Sequence, residues 1–310
     1  MQIIFFGTPE FAVPPLQALL DSGHDVIAVV TQPDRRKGRG KHLAPSPVKV
    51  EAQKQGVKIL QPEKIKDRGF IDGLRELKPE AIILVAYGQI LPNDIIQLPE
   101  YGCINVHASM LPKYRGASPI NKAIIEGERK TGITTMLMDE GMDTGPILLQ
   151  QEIDIDPDDT AGSLSYKLAE TGSTLLLRTL EDIENNTVTP VPQPEGATYA
   201  PLLLKADGFI PWAESAEMIC NFIRGMTPWP AAYGFLEGER IKILKAVPHD
   251  GDGEKGAIIS IEKNTILVGA GQGSIAIHEL QPAGKPVMSA GAFVQGRNLK
   301  EGMRFALRND

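Results

Sequence analysis

Asn105-Val106-His107-Ala108-Ser109 is the densest polar cluster in the chain, and it lies at the end of an apolar run, 102–106. Asn105 and His107 alternate with apolar residues, so at the two-residue period of a strand their side chains share one side. An amide donor beside an imidazole suits acyl-type transfer: the amide stabilises a developing oxyanion, and the imidazole moves a proton near neutral pH. The following loop, Met110-Leu111-Pro112-Lys113-Tyr114-Arg115-Gly116, carries two cations and has no core pattern. Further on, Met138-Asp139-Glu140-Gly141-Met142-Asp143-Thr144-Gly145-Pro146 sets three carboxylates within five residues on a glycine-rich loop. A carboxylate there can orient His107 and stabilise its charged form.

Other chemistries fit less well. Gly7-Thr8-Pro9 follows the first apolar run, but neither a dinucleotide fingerprint nor a P-loop is present there. Gly38-Arg39-Gly40-Lys41 has glycines without the strand-to-helix turn that a phosphate cradle needs. The five histidines are scattered and show no metal-ligand spacing, so no metal is expected. No G-x-S-x-G occurs, and Cys103 lies inside the apolar run rather than after it, which disfavours a Ser or Cys hydrolase. Cys103 and Cys220, 117 positions apart, are expected as reduced structural thiols.

The elements that must position these residues follow from the apolar pattern. The chain has 310 residues, 42% hydrophobic and 23% charged, so it is long enough for two globular domains. The longest apolar runs, such as 81–86, fall far short of the ~20 residues of a membrane span, and the N-terminus shows no signal peptide. A cytoplasmic protein is expected. Apolar runs at 3–6, 25–31, 81–86 and 102–106 read as buried strands, with helices over about 10–21, 46–55 and 71–77. That alternation predicts a doubly wound parallel-sheet, Rossmann-like α/β domain. In such a sheet the carboxyl ends of the strands open onto the ligand crevice, where Asn105 and His107 fall. Strands at 133–138 and 147–153 and a helix over about 160–182, capped at Asp159 or Thr160, complete it. Pro190, Pro192 and Pro194 then mark an extended linker. Past about 207 one helix (214–225) and short runs at 241–247, 256–262, 264–269 and 274–280 predict a mostly β, OB-like barrel. The expected division is 1–187, a linker 188–206, and 207–310. Trp212 and Trp229 read as packing residues of that second part.

Net charge is −7, which argues against a globally basic nucleic-acid binder. Arg35, Arg36, Lys37, Arg39 and Lys41 are the local exception, five cations in seven residues. Their mutual repulsion calls for an anionic partner, and an RNA backbone is one.

Taken together, Asn105-Val106-His107-Ala108-Ser109-Met110-Leu111-Pro112-Lys113-Tyr114-Arg115-Gly116-Ala117-Ser118-Pro119 resembles the signature of the folate-dependent formyltransferases, and Gly141-Met142-Asp143-Thr144-Gly145 resembles that family's acidic partner segment. Phe5-Phe6-Gly7-Thr8-Pro9, Thr31-Gln32-Pro33-Asp34, Ala197-Thr198-Tyr199-Ala200-Pro201 and Arg224-Gly225-Met226-Thr227-Pro228-Trp229-Pro230 are similar to the branch whose acceptor is initiator methionyl-tRNA. The resemblance implies transfer of the formyl group of 10-formyltetrahydrofolate to the α-amine of methionine on initiator tRNA, for translation initiation. It implies Asn105, His107 and Asp143 as the catalytic trio. It implies Ser109, Met110, Leu111 and Pro112, with Tyr87, Gly88, Ile90, Asp139 and Glu140, around the folate. It places Arg35, Arg36, Lys37, Arg39 and Lys41 on the tRNA and makes the C-terminal barrel a second tRNA contact. No obligate protein partner, and a monomer, are expected. Met110 stands where the family more often has Leu, Pro146 where an acid is common, Pro211 where Asp often precedes the tryptophan, and Leu202 where Lys is frequent. Relatives with the same trio that formylate small amines, such as glycinamide ribonucleotide or amino-sugar nucleotides, or that hydrolyse formyl-folate, are the alternative. The basic loop and the second domain speak for the RNA acceptor.

Overall fold

A computed structural model describes residues 1–37 and 42–308. The chain forms two compact units, one of residues 1–119, 130–154 and 165–201, the other of 120–129, 155–164 and 202–310. Residues 188–201 of the stretch read as a linker thus group with the first unit, and 202–206 with the second. Two short segments of the N-terminal half, 120–129 and 155–164, also group with the second unit.

In chain order the elements of the N-terminal half are β1 (Gln2–Gly7), α1 (Val13–Leu20), β2 (Asp25–Val30), β3 (Arg35–Lys37), β4 (His42–Ala44), α2 (Pro47–Lys54) and β5 (Ile59–Leu60). They continue with α3 (Arg68–Glu76), β6 (Ala81–Val85), α4 (Asn93–Ile96), β7 (Cys103–His107), α5 (Pro119–Ile125), β8 (Lys130–Leu137), β9 (Ile147–Asp154) and α6 (Ala161–Glu184). The main sheet has the order β5-β2-β1-β6-β7-β8-β9. β5, β2, β1, β6 and β7 run parallel. Ile3, Ile4, Phe5 and Phe6 of β1 and Ile82 and Ile83 of β6 have no exposed surface, as the unbroken apolar runs require of strands covered on both faces. β8 and β9 run antiparallel to their neighbours, so the expected parallel sheet carries an antiparallel edge. The connection from β7 to β8 encloses only 108–129, and α5 within it belongs mostly to the second unit.

Helix starts follow local chemistry. Ser46 Oγ accepts from Lys49 N–H at 3.0 Å ahead of Pro47, and Asp67 Oδ1 accepts from Phe70 N–H at 3.0 Å. Thr160 is the cap of α6, its Oγ1 accepting from Ser163 N–H at 3.2 Å while Ser163 Oγ accepts from Thr160 N–H. Gly172 of α6 lets that helix approach β7: a Cβ there would stand 3.1 Å from Val106 Cγ1. Val106 is thereby covered on the face opposite Asn105 and His107.

The second unit adds α7 (Ala216–Met226), β10 (Tyr233–Leu236), β11 (Glu239–His249), β12 (Ile258–Ile261), β13 (Ile266–Gly269), β14 (Ser274–Pro282), β15 (Met288–Ser289) and α8 (Ala290–Gln295). Its antiparallel sheet has the order β10-β11-β14-β13-β12, with β15 beside β14. Residues 302–306 bridge the two ends of that order. Ile258 N–H donates to Met303 O at 2.7 Å, and Ala306 N–H donates to Phe235 O at 2.8 Å. The curled sheet is therefore closed by an irregular segment with almost no strand pattern in its sequence. Ile219, Cys220, Ile223 and Met226 of α7 pack into its core with Ile241, Ile243, Ile275 and Ile277. Trp212 is buried and stacks on Phe305 at 5.1 Å, but Trp229 is 51% exposed. It lies beyond Met226, the last apolar position of α7, between two prolines, which corrects its reading as a packing residue.

Candidate active site

Strand order reverses direction at β1, since β2 pairs on one side of it and β6 on the other. The carboxyl ends of β1 and β6 therefore border a crevice, and β7 delivers the next strand end to it. Thr8 Oγ1, after β1, donates to Tyr87 O, after β6, at 2.9 Å. Ala86 at φ +47° and Gly88 at φ +90° turn the chain out of β6 and leave Ile90 78% exposed. Tyr87 itself is buried against Phe6 in an edge-on contact, and burial pushes its hydroxyl up to about 12.

Asn105 and His107 are both 6% exposed and lie two residues apart on β7. Asn105 Nδ2 donates to Asp143 Oδ1 at 3.3 Å, and His107 Nδ1 stands 3.7 Å from Asp143 Oδ2. The same Oδ2 accepts from Gly116 N–H at 2.8 Å. His107 Nε2 is 3.0 Å from Tyr114 O. A carbonyl only accepts, so Nε2 carries the proton in the neutral ring, and Nδ1 is the basic nitrogen facing Asp143. Of the three carboxylates in the 139–143 loop, Asp143 is thus the one placed beside the imidazole. Asp139 instead closes its own turn, Oδ1 accepting from Gly141 N–H at 3.0 Å and Thr144 Oγ1 at 2.6 Å. Glu140 accepts from Asn93 Nδ2.

Backbone strain gathers here. Tyr114 (φ +59°) and Asp143 (φ +53°) are non-glycine residues in left-handed conformations, and Gly116 has φ +114°. Such residues persist where surrounding contacts over-determine them, and they cluster at functional sites. Tyr114's turn aims its carbonyl at His107; Gly116 has no room for a side chain, since a Cβ would stand 2.7 Å from Ala200 O.

The 109–112 segment is braced from the antiparallel edge. Thr134 Oγ1 donates to Ser109 O at 2.7 Å and accepts from Leu111 N–H at 3.1 Å; Gln150 Nε2 donates to Leu111 O at 2.9 Å. Ser109 Oγ donates to Lys113 O at 2.6 Å. Thr134, Gln150 and Gln193 carried no signal in the sequence, because the partners of each lie far along the chain. Gln193 donates to the backbone of Asp143 and Gly145 and accepts from Arg115.

Arg35 and Arg36 lie exposed on β3, which pairs antiparallel with β4. Lys37 closes that ladder opposite His42, while Arg39 and Lys41 lie outside the described residues. Arg35 Nη2 donates to Gln32 Oε1 at 3.1 Å, and Gln32 Nε2 donates to Tyr87 O at 3.3 Å, tying the base of the basic hairpin to the loop after β6. Among the described residues no group of three or more His, Cys, Asp or Glu is arranged to hold a metal, and no helix is long and apolar enough to cross a membrane. Both cysteines are buried and unpaired.

Comparison with known proteins bears on this geometry. Family models for formyl transferase and for the formyl transferase C-terminal domain match residues 1–180 and 203–298. The chain is 52% identical over 301 residues to a methionyl-tRNA formyltransferase of Thermodesulfovibrio yellowstonii, covering 97% of each chain. Among solved structures it resembles a sugar 3N-formyl transferase, WlaRD, described in the presence of dTDP and 5-N-formyl-THF (TM-score 0.68, 22% identity, 92% of this chain and 99% of that one). It also resembles the methionyl-tRNA formyltransferase of Clostridium thermocellum (TM-score 0.56, 18% identity, 89% and 99%), in both cases as a likeness of fold. With both of its parts matched and a relative half identical from end to end, the chain belongs to the formyl transferase family.

Proposed function

We propose that this protein transfers the formyl group of 10-formyltetrahydrofolate to the α-amine of methionine on initiator methionyl-tRNA, the step that prepares the charged tRNA for translation initiation. The observation that carries this reading is the Asn105–His107–Asp143 cluster at the carboxyl edge of the sheet, in a chain similar along its whole length to enzymes named for that reaction.

The residues present fit a formyl-folate. A reduced pterin offers flat faces to apolar side chains and an edge of N–H groups to carboxylates and backbone carbonyls. Exposed Ile90 beside the turn at Gly88, the apolar Met110 and Pro112 next to buried Leu111, and the carboxylates of Asp139 and Glu140 would supply that set, with Ser109 and Tyr87 buried within the same segments. The bound donor supplies a carbonyl carbon open to attack by an amine.

The chain's own residues then divide the work. Asn105 is oriented by its bond to Asp143, and its second N–H serves the oxygen on which negative charge builds. His107, its Nε2–H held by Tyr114 O, presents Nδ1 to take the proton released by the attacking amine and to return it to the folate nitrogen as the bond from that nitrogen to the formyl carbon breaks. Asp143 stabilises the imidazolium so formed and is itself held by Gly116 N–H. Arg35, Arg36, Lys37, Arg39 and Lys41 neutralise acceptor-stem phosphates, and the closed β unit supplies a second RNA contact. The enzyme acts in the cytoplasm as a monomer.

Formyl transfer to methionyl initiator tRNA, methionyl elongator tRNA and free methionine tests the proposal directly. Transfer confined to the initiator supports both the chemistry and the RNA acceptor. Folate turnover without transfer to either tRNA would move the acceptor to a small amine.

A further inference from the structure

We infer that Gln193 is a positioning residue for the proposed reaction, and that the proline-rich stretch carrying it belongs to the catalytic apparatus. The inference rests on reading Asp143 as the partner of His107.

Asp143 has a left-handed backbone at φ +53°, a conformation uncommon outside glycine, and surrounding contacts favour it. Its carboxylate is fixed by Asn105 Nδ2 and Gly116 N–H, but those bonds do not hold its backbone. Gln193 does. Its Nε2 donates to Asp143 O at 2.8 Å and to Gly145 O at 2.9 Å, so one amide group brackets the turn around Thr144. The amide's orientation is set from the other side, where Oε1 accepts from Arg115 Nε at 3.1 Å and Nη2 at 2.7 Å. A planar guanidinium offering two donors to one oxygen leaves the nitrogen of the amide facing the turn.

The segment that presents Gln193 is anchored on both sides. Before it, Val191 and Ile147 exchange backbone hydrogen bonds of 2.8 Å in each direction. After it, Arg115 N–H donates to Thr198 O at 2.9 Å, and Ala200 N–H donates to Arg115 O at 2.8 Å. Arg115 and Gly116 are adjacent, so the residue that orients Gln193 is the neighbour of the one whose N–H holds the Asp143 carboxylate. Apart from Asn105, the contacts named on the backbone and carboxylate of Asp143 thus come from two segments bonded to each other, 115–116 and 191–200. A proline-rich composition suits the second, because its prolines leave little conformational freedom to lose on ordering.

The experiment compares Gln193→Ala and Gln193→Glu, each alone and combined with Asp143→Asn, by kcat, by KM for both substrates and by thermal midpoint. Glutamate keeps an oxygen for Arg115 but has no N–H for the two carbonyls. Both single variants are expected to lose about tenfold in kcat, the scale of one or two net hydrogen bonds, with each KM within about twofold of the parent. In the Asp143→Asn background the same changes should cost less than threefold, roughly, because the two residues act through one group. A lowered thermal midpoint with unchanged kcat would reduce Gln193 to a fold-stabilising residue and overturn the inference. So would a wild-type kcat in Gln193→Glu, which would credit the Arg115 contact instead, or full additivity with Asp143→Asn. If Asp143→Asn turns over normally, the reading of Asp143 fails and this inference with it. A large loss in Asp143→Asn with none in either Gln193 variant sinks the inference alone.

Discussion

Replacing Asp143 by Asn removes a charge from the proposed site while keeping the shape of the side chain. The carboxylate oxygen lies 3.7 Å from His107 Nδ1, and the side chains are only 18% and 7% exposed. With an effective dielectric constant of about 20, a unit charge pair at that distance is worth about 4 kcal/mol. That energy acts only when His107 is protonated, after it has taken the amine proton, so it belongs to the transition state more than to the free enzyme. At one factor of ten per ~1.4 kcal/mol the ceiling is about 10³ in kcat. Asparagine still accepts from Gly116 N–H through its carbonyl oxygen, which keeps the side chain in place and brings the expected loss to about 10²–10³, with KM for both substrates little changed. Single-turnover formylation of methionyl-tRNA, read as the fraction formylated against time, measures the step. The thermal midpoint checks that the unit still folds. A rate within about threefold of the parent, which is well under 1 kcal/mol, would refute the role assigned to the carboxylate.

Other consequences follow from the same geometry. Asn105→Ala and His107→Ala should each lower kcat at least about 10²-fold in the same assay without unfolding the protein, and their effects with Asp143→Asn should be sub-additive. Gly116→Ala places a methyl group 2.7 Å from Ala200 O at φ +114°, so both the thermal midpoint and kcat should fall, the latter through loss of the N–H on Asp143. Arg36→Ala or Arg39→Ala should raise KM for the charged tRNA and reduce the salt slope of binding by about one, leaving folate KM unchanged. Burial pushes the thiols of Cys103 and Cys220 up to about 12, so at pH 8 the native protein should react with neither equivalent of a thiol reagent and should expose both on unfolding.

Much of the framework was legible in the primary structure because it depends on short-range chemistry. Unbroken apolar runs marked β1, β2, β6 and β7 as strands covered on both faces. Ser46 and Thr160 marked helix starts, since a cap needs only a side-chain oxygen three residues ahead of an N–H, whereas the helix capped by Asp67 starts at Arg68, ahead of the expected 71. Asn105 and His107 could be paired from sequence because alternation along one strand decides which side chains share a face. The family resemblance supplied Asp143, which the pattern alone left equivalent to Asp139 and Glu140.

Long-range pairing supplied the rest. The antiparallel direction of β8 and β9 depends on where the intervening segment packs, and alternation reads the same in either direction. The irregular 302–306 segment closes the C-terminal sheet through backbone hydrogen bonds, which leave no mark on residue type. Trp229 has the composition of a core residue, yet half of it faces solvent. The amino-acid sequence by itself singled out Asn105 and His107 as candidates and the strand end that holds them both, since both depend on residue type and local period. Only the tertiary structure decided which imidazole nitrogen faces Asp143, and that Gln193, fifty residues further along, donates to the backbone of its turn. Those are questions of distance and direction between segments far apart in the chain, and no periodicity in a single segment encodes them.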